Sequence, residues 1–215
     1  MQLLLLRLEG PMQSWGEHAK WDKSRDSALM PTKSGVLGLL GACMGLERGS
    51  TTLVTMAESL QMAVRADRSG ILQWDFHTVQ GFPHLTNAEG KKRSGGNTIV
   101  SSRAYLEDAS FLVALSGDAA LLTQCKDALS APIWAPFLGR KSCPPSLPIC
   151  EDFTDAYRSP LDALQQHPFA ARHDKIMQVQ IESIDGRYMR IDQLQESKNR
   201  HFTKRSVSTE VISCT

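Results

Sequence analysis

The segment 2–11, QLLLLRLEGP, holds four consecutive leucines and only one charged residue before Glu9. Such a nearly continuous apolar run is typical of a strand buried on both faces, and Glu9, Gly10 and Pro11 close it as a turn would. A strand of this kind belongs in the middle of a sheet. We therefore expect a sheet built around the first strand.

A helix is predicted after a polar, aromatic-bearing stretch. Pro31 and Thr32 open it, and apolar side chains then recur at helical spacing. These apolar residues are Val36, Leu39, Leu40, Cys43 and Leu46. Gly38, Gly41 and Gly45 are three and four residues apart, so they share a helix face that a neighbour can approach closely.

Further strand and helix patterns follow in the first 150 residues. They are strands at 59–66, 71–79 and 110–115 and a helix at 118–129. Because only a polar turn separates the first two of these strands, we expect them to pair as a hairpin. With the first strand and helix, the order is βαββ and then β and α.

Two other stretches have distinct compositions. Residues 81–97 are polar and glycine-rich, so we expect them to project from the body. Residues 133–148 are rich in proline and glycine and carry basic residues, which predicts an ordered functional loop. Near the C-terminus, 176–184 alternates as a strand does, and a turn at Asp185 and Gly186 leads to another short strand.

Composition limits the possible functions. The net charge is +1, from 24 basic and 23 acidic residues, so any site for a polyanion must be local. The five cysteines are scattered without a C-x-x-C pair, which argues against a zinc site and favours a reducing compartment. Since no apolar run approaches the ~20 residues of a membrane span, we expect a cytoplasmic protein without a membrane partner.

Several motifs resemble the CasD family, the Cas-five subunit of the type I-E CRISPR Cascade. The most specific are GPMQSWG at 10–16 and PTKSGVLGLLGA at 31–42. The likeness continues, in family order, in HTVQG at 77–81, YLEDASF at 105–111 and FLGRKSCP at 137–144. It extends over about the first 150 residues, and beyond Glu151 only short features such as NRHF at 199–202 match.

The resemblance implies a ferredoxin-like, RNA-recognition-motif fold (βαββαβ) of the RAMP superfamily. It divides the chain into a main domain at 1–150, with a thumb-like insertion at about 81–102, and a small β-rich C-terminal region at 151–215. The implied function is a non-catalytic antiviral-defence subunit that caps the 5′ handle of the crRNA without a cofactor. The implied protein partners are the Cascade backbone and large subunits, with target DNA reached through the assembled complex.

The start of the predicted helix is one candidate RNA contact. Single-stranded RNA requires phosphate ligands and flat groups for its bases. Thr32, Lys33, Ser34 and the amide of Gly35 supply phosphate ligands at the positive end of a helix. A plain helix cap is the alternative role for these residues.

Other candidates come from aromatic and basic residues after the first strand and before the strand at 110–115. Gln13, Trp15 and Arg25 belong to a stretch where such residues interleave, although Trp15 is equally suited to the core. Arg103 and Tyr105 just precede a strand, so they are expected on one sheet face, or else in cross-strand packing.

The remaining candidates are basic residues in loops. Arg140 and Lys141 follow Gly139, which lets RNA approach the main chain, and a solvated surface pair is the alternative. Lys91, Lys92 and Arg93 in the projecting stretch are predicted to touch RNA or an acidic neighbour, although charge runs are usually solvated.

Two rival functions remain open from the sequence. One is a metal-independent endoribonuclease that cuts the precursor crRNA, for which His77, His84, Tyr105 and Lys33 are the available chemistry. The other is a scaffold that mainly binds protein. The absence of a G-x-x-x-x-G-K-[ST] motif argues against a nucleotide-hydrolysing P-loop enzyme.

Overall fold

The fold is described from a computed structural model over residues 1–17, 24–86, 90–92, 98–196, 198–199 and 201–213. The strands are β1 (Leu3–Glu9), β2 (Met12–Gln13), β3 (Ser24–Arg25), β4 (Leu60–Arg68), β5 (Ile71–Gln80), β6 (Thr98–Glu107), β7 (Ser110–Gly117), β8 (Cys150–Thr154), β9 (Ile176–Glu182), β10 (Tyr188–Glu196) and β11 (His201–Ser213). The helices are α1 (Lys33–Cys43), α2 (Thr51–Ser59), α3 (Ala119–Ser130) and α4 (Pro160–Gln166). The predicted mixed α and β class is confirmed.

Seven strands form the main sheet, in the order β10-β11-β9-β4-β7-β1-β8. Every neighbouring pair is antiparallel. β1 lies between β7 and β8, and its leucines are fully buried, which confirms the predicted strand buried on both faces. Its place is not the middle of the sheet, because only the edge strand β8 lies on one side of it and five strands lie on the other.

Alternate leucines of β1 pack into two separate cores. Leu4 and Leu6 join the core beneath α1, α2 and α3, whereas Leu3 and Leu5 pack with Ala163 of α4 on the other side. Burying one leucine side chain stabilises a fold by about 1.5–3 kcal/mol, so both faces contribute strongly. Because helices cover both faces here, a ligand must bind elsewhere than on the centre of this sheet.

Helix α1 begins where the sequence predicts. Thr32 is its N-cap, and the Thr32 hydroxyl accepts a hydrogen bond from the Gly35 N–H at 3.2 Å. The expected close packing is found at two of the three glycines. A Cβ atom at Gly41 would lie 2.6 Å from a methyl group of Leu53 in α2, and one at Gly45 would lie 2.8 Å from Ile133. Gly38 instead borders open space.

A second, smaller sheet carries the projecting part of the chain. β5 and β6 pair over ten residues, and the short strands β2 and β3 also pair with β6. The predicted hairpin of 59–66 with 71–79 is wrong, because β4 pairs with β7 and β9. Most of β4 is buried and needs a neighbour on each side, whereas most of β5 is exposed.

The C-terminal strands extend the main sheet rather than standing apart from it. β9 pairs with β4, and β11 pairs with both β9 and β10. The boundary that we predict near residue 150 coincides with the start of β8, a strand of the same sheet. The sequence patterns did not predict α2, which Ser50 caps. Within the described ranges, no helix is long and apolar enough to cross a membrane.

Candidate nucleic-acid interface

Three arginines converge at the edge of the smaller sheet. β3 and β6 run parallel, and their register sets Arg25 beside Arg103. Arg140 approaches from the loop after α3, where its Nη2 donates to the carbonyl oxygens of Arg25 at 3.2 Å and Asp26 at 3.1 Å. We call Arg25, Arg103, Arg140 and Tyr105 the arginine cluster.

Tyr105 forms the floor of the arginine cluster. The guanidinium carbon of Arg140 lies 4.7 Å from the centre of the Tyr105 ring, which is a cation–π distance. Burial alone would raise the pKa of Tyr105, but hydrogen bonds with Ser142 and Arg140 and the charge of Arg140 lower it. The phenol therefore sits among donors that favour negative charge.

The cluster has an excess of positive charge at short range. Burial and the charges of Arg103 and Arg140 lower the pKa of Arg25, although a guanidinium keeps its proton at neutral pH. Arg140 Nη1 is buried and has no hydrogen-bond partner within the described part of the chain. A buried donor without an acceptor costs about 1–3 kcal/mol. The three neighbouring guanidiniums repel one another, so an anion such as a phosphate at the cluster would stabilise this arrangement.

The loop that carries Arg140 is held tightly against the first strands. Leu138 accepts from Ser14 N at 3.1 Å, and the Leu138 N–H donates to Cys143 O at 2.7 Å. Gly139 has a φ of +83°, and a Cβ atom there would lie 1.7 Å from the carbonyl oxygen of Ser14. Only glycine can occupy this position, and the turn that it allows directs Arg140 toward Tyr105.

The other basic candidates lie on the surface. Lys141 is exposed beside the arginine cluster. Lys91 and Lys92 are exposed in the projecting stretch, where the backbone of Lys92 forms an isolated antiparallel β-bridge with Thr86. Arg93 lies outside the described residues. The exposed lysines are placed for contacts with a polyanion but do not converge on one point.

Gln13 and Trp15 pack inside the protein, beneath the first strands. The Gln13 amide donates to the carbonyl oxygens of Leu8 and Ala109 at 3.0 and 2.9 Å and accepts from Trp15 Nε1 at 3.1 Å. Gln13 is fully buried, and Trp15 is 1% exposed. The structure therefore gives both side chains a packing role, which the sequence left as the alternative for Trp15.

The start of α1 is occupied by the protein's own carboxylates. The Lys33 N–H donates to Asp192 Oδ2 at 2.8 Å, and Lys33 Nζ contacts both carboxylate oxygens of Glu182 at 3.1 Å. Lys33 is 1% exposed. Of this group only Ser34 and Gly35 are half-buried rather than buried. The geometry does not support a phosphate contact by the Lys33 side chain.

The residues of the rival nuclease are not brought together. His77 pairs with Ser101 across the β5–β6 ladder, whereas Tyr105 pairs with Gln73. Four residues of strand separate the two pairs, or about 13 Å. Lys33 is committed to Glu182, and His84 lies beyond the end of β5.

Comparison with known proteins agrees with this architecture. The family model described as CRISPR-associated protein (Cas_Cas5) matches residues 3–212. The chain belongs to this family. It is 38% identical over 160 residues to the CRISPR system Cascade subunit CasD of Escherichia coli (strain K12), an alignment that covers 68% of each chain.

Solved structures extend the likeness to nearly the whole chain. A chain of a CRISPR RNA-guided surveillance complex superposes with a TM-score of 0.81 at 33% identity, covering 98% of this chain and 90% of the other. A second structure, titled as a crystal structure of Cas protein, gives a TM-score of 0.74 at 33% identity, with 98% and 95% covered. This Cas5-family protein is therefore a CRISPR Cascade component of a ribonucleoprotein complex.

The sequence did not reveal the charged side chains buried in the C-terminal strands of this Cas5-family protein. Arg190, Asp192 and Arg205 all point inward and are at most 8% exposed. Asp192 receives two bonds from Arg205, at 2.9 and 2.8 Å, in addition to the bond from the Lys33 N–H. The signal available in the sequence was that charged residues alternate with apolar ones at 189–192. Alone, this alternation indicates only a strand.

Asp192 makes the stability of the Cas5-family chain sensitive to acid. Burial alone would raise the pKa of Asp192, but Arg205, the Lys33 N–H and Arg190 together lower it below its ordinary 3.8. A carboxyl group with a lowered folded pKa stabilises fully above its unfolded pKa, and this contribution is lost as the pH falls below about 4. Asp192→Asn should cost about 3 kcal/mol at neutral pH.

Urea titrations of wild type and Asp192→Asn at several pH values check this prediction. We expect their difference in unfolding free energy to be constant from about pH 7 to pH 5 and to shrink below about pH 4. Asp185→Asn, at an exposed turn residue, is the control and should show little difference at any pH. A difference that grows on acidification would contradict the assignment.

Proposed function

We propose that this chain is a non-catalytic Cascade subunit that binds and caps the 5′ handle of the crRNA. The observation that carries the proposal is the arginine cluster, in which Arg25, Arg103 and Arg140 surround Tyr105. Three guanidiniums around an aromatic ring supply the phosphate ligands and the flat group that single-stranded RNA requires. Lys141, exposed next to the cluster, adds a further positive charge.

The strand order supports a ferredoxin-like, RNA-recognition-motif core. The core consists of four neighbouring strands of the main sheet, in the order β4-β7-β1-β8. Counted along the chain, these are the second, third, first and fourth strands of the core, and helices follow the first and the third. The antiparallel ribbon of β5 and β6 is inserted between β4 and β7. We infer that this ribbon is the thumb, and that it begins about ten residues earlier than the 81–102 predicted from sequence.

The two faces of the ribbon suit different partners. Residues directly opposite each other in an antiparallel pair share a face. One face carries Asp75, His77 and Arg103, and the other carries Trp74 and Phe76, which are 57% and 71% exposed. Exposed aromatic groups of this kind are typical of protein contacts. We propose that the apolar face contacts the backbone subunit, and that another surface contacts the large subunit.

The rival functions have less support. An endoribonuclease would need its histidine and tyrosine near one phosphate, whereas His77 and Tyr105 lie about 13 Å apart along the ribbon. A pure protein scaffold does not account for three guanidiniums gathered around one tyrosine ring. Both remain outcomes of the experiment below.

We predict that Arg103→Ala weakens handle binding about tenfold, because one charge-assisted phosphate contact is lost. The measurement is a fluorescence titration of labelled repeat RNA that carries the 5′ handle, at two or more salt concentrations and in chelator. The salt slope should fall by about 0.7 for each lost phosphate contact on a single strand. Arg187→Ala, at an exposed arginine near the start of β10, is the control.

The same samples test both rivals. Electrophoresis of the labelled repeat RNA would reveal cleavage, and cleavage abolished by His77→Ala would promote the nuclease. Wild-type protein that assembles with Cascade subunits but shows no salt-dependent RNA binding would favour the scaffold. Equal binding by Arg103→Ala and wild type would remove the arginine cluster from the proposal.

A further inference from the structure

Arg190 connects the C-terminal strands to the segment that carries Arg25. Its side chain leaves β10 toward the interior and is 9% exposed. Nε donates to Glu17 Oε1 at 2.8 Å, Nη1 to Gln180 Oε1 at 2.9 Å, and Nη2 to the Met30 carbonyl at 3.4 Å. Of these partners only Gln180, in β9, belongs to the C-terminal strands.

Glu17 and Met30 lie on either side of Arg25 along the chain. Near them, Trp15 and Ala28 form an antiparallel bridge, in which the Ala28 N–H donates to Trp15 O at 2.7 Å. Arg140 holds the carbonyl oxygen of Arg25 from the other side. A single guanidinium thus contacts the chain both before and after Arg25.

An inward-facing arginine is a costly way to fill this position. Removing a guanidinium from water costs several kcal/mol, and a buried ion pair replaced as a whole by apolar residues of similar volume is often as stable or more stable. Arg205 and Asp192 already provide an ion pair between β10 and β11. Arg190 adds to this pair the contacts to Glu17 and Met30, which lie outside the C-terminal strands.

We propose that Arg190 is a positioning residue for RNA binding, which holds Glu17 and Met30, on either side of Arg25 in the chain, so that Arg25 faces Arg103. The C-terminal strands thereby serve the RNA site without touching RNA. This inference rests on the proposed function, since the site that it positions is the arginine cluster.

The decisive variant is Arg190→Met, which preserves volume and removes the contacts to Glu17 and Met30. We expect the thermal midpoint to fall, because the partly buried Glu17 loses its partner. In the folded protein, affinity for the labelled repeat RNA should fall about tenfold because Arg25 is no longer preorganised. The salt slope should remain that of wild type, because Arg190 contacts no phosphate, whereas Arg25→Ala lowers it by about 0.7. Arg187→Met, at an exposed neighbour, is the matched control.

A double-mutant cycle separates positioning from general damage. If Arg190 acts through Arg25, then Arg25→Ala with Arg190→Met should bind no more weakly than Arg25→Ala alone. Additive losses, or binding by Arg190→Met equal to wild type, would overturn the inference. Should Arg190→Met fail to fold, Glu17→Ala removes the same contact from the segment's side, and wild-type affinity in that variant would overturn it.

Hydrogen exchange gives a readout that does not depend on RNA. Arg190→Met should speed exchange of the Ala28 N–H while leaving the β10–β11 amides unchanged. If wild type fails to bind the RNA, the proposed function falls, and unchanged Ala28 exchange would show separately that Arg190 positions nothing. Faster exchange at Ala28 with intact β10–β11 amides would uphold the positioning even then.

Discussion

Asp67→Ala is expected to lower the free energy of unfolding by about 3–5 kcal/mol, because it leaves two buried guanidiniums without their shared counter-ion. Asp67 is fully buried and contacts both Arg65 and Arg7, which are 0% and 3% exposed. It also accepts the Ala170 N–H at 2.8 Å. Since domains are typically stable by about 5–15 kcal/mol, this loss is a large part of the total.

The loss should extend beyond the ion pair itself. Arg65 also donates to the carbonyl oxygens of Leu164, His167 and Pro168, which hold the end of α4 on the sheet. Asp67 fixes the orientation of the buried Arg65 guanidinium, so without it α4 would lose part of the anchor that keeps it on this face of the sheet.

Urea unfolding followed by circular dichroism measures the effect of Asp67→Ala. Asp155→Ala, at an exposed acidic residue, is the control and should stay within about 0.5 kcal/mol of wild type. Asp67→Asn keeps the shape but not the charge, so it should recover only part of the loss. A midpoint for Asp67→Ala equal to that of the control would contradict the assigned role.

Local sequence patterns predicted the elements whose buried residues follow a regular spacing in the sequence. The leucine run of β1 and the periodic faces of α1 and α3 are such elements, and the structure has them within a few residues of the predicted bounds. Strand pairing depends on residues far apart in the sequence, and the predicted β4–β5 hairpin was wrong for that reason. The true neighbours of β4 are β7 and β9, and residue spacing alone does not identify them.

The candidate site divides in the same way. The sequence predicts Arg25, Arg103, Tyr105 and Arg140 as separate candidate contacts, and the structure brings them together through strand pairing and the loop turn at Gly139. Lys33 has an equally suggestive sequence position, but its partner Glu182 lies 149 residues away. Burial of a charge by a distant carboxylate leaves no local mark, so motif position alone could not separate a buried lysine from a ligand-binding one.

Gly139→Ala is expected to weaken handle binding by about thirtyfold or more, as the loss of about 2 kcal/mol from charge-assisted contacts would require. Its φ of +83° disfavours any side chain, and the added Cβ would lie 1.7 Å from the Ser14 carbonyl oxygen, which is backbone and cannot swing away. The loop must therefore lift from Ser14 and carry Arg140 off Tyr105, which disperses the cluster that we propose binds RNA.

Gly49→Ala separates this clash from backbone strain alone. Gly49 also has a positive φ, of +97°, but the nearest atom to an added Cβ, the Lys198 Cα, is 3.8 Å away. Both variants should lose roughly 1 kcal/mol of stability to the left-handed backbone, whereas only Gly139→Ala should lose RNA affinity. If titrations with the labelled repeat RNA gave both variants wild-type affinity, the turn at Gly139 would not be what directs Arg140 to the RNA.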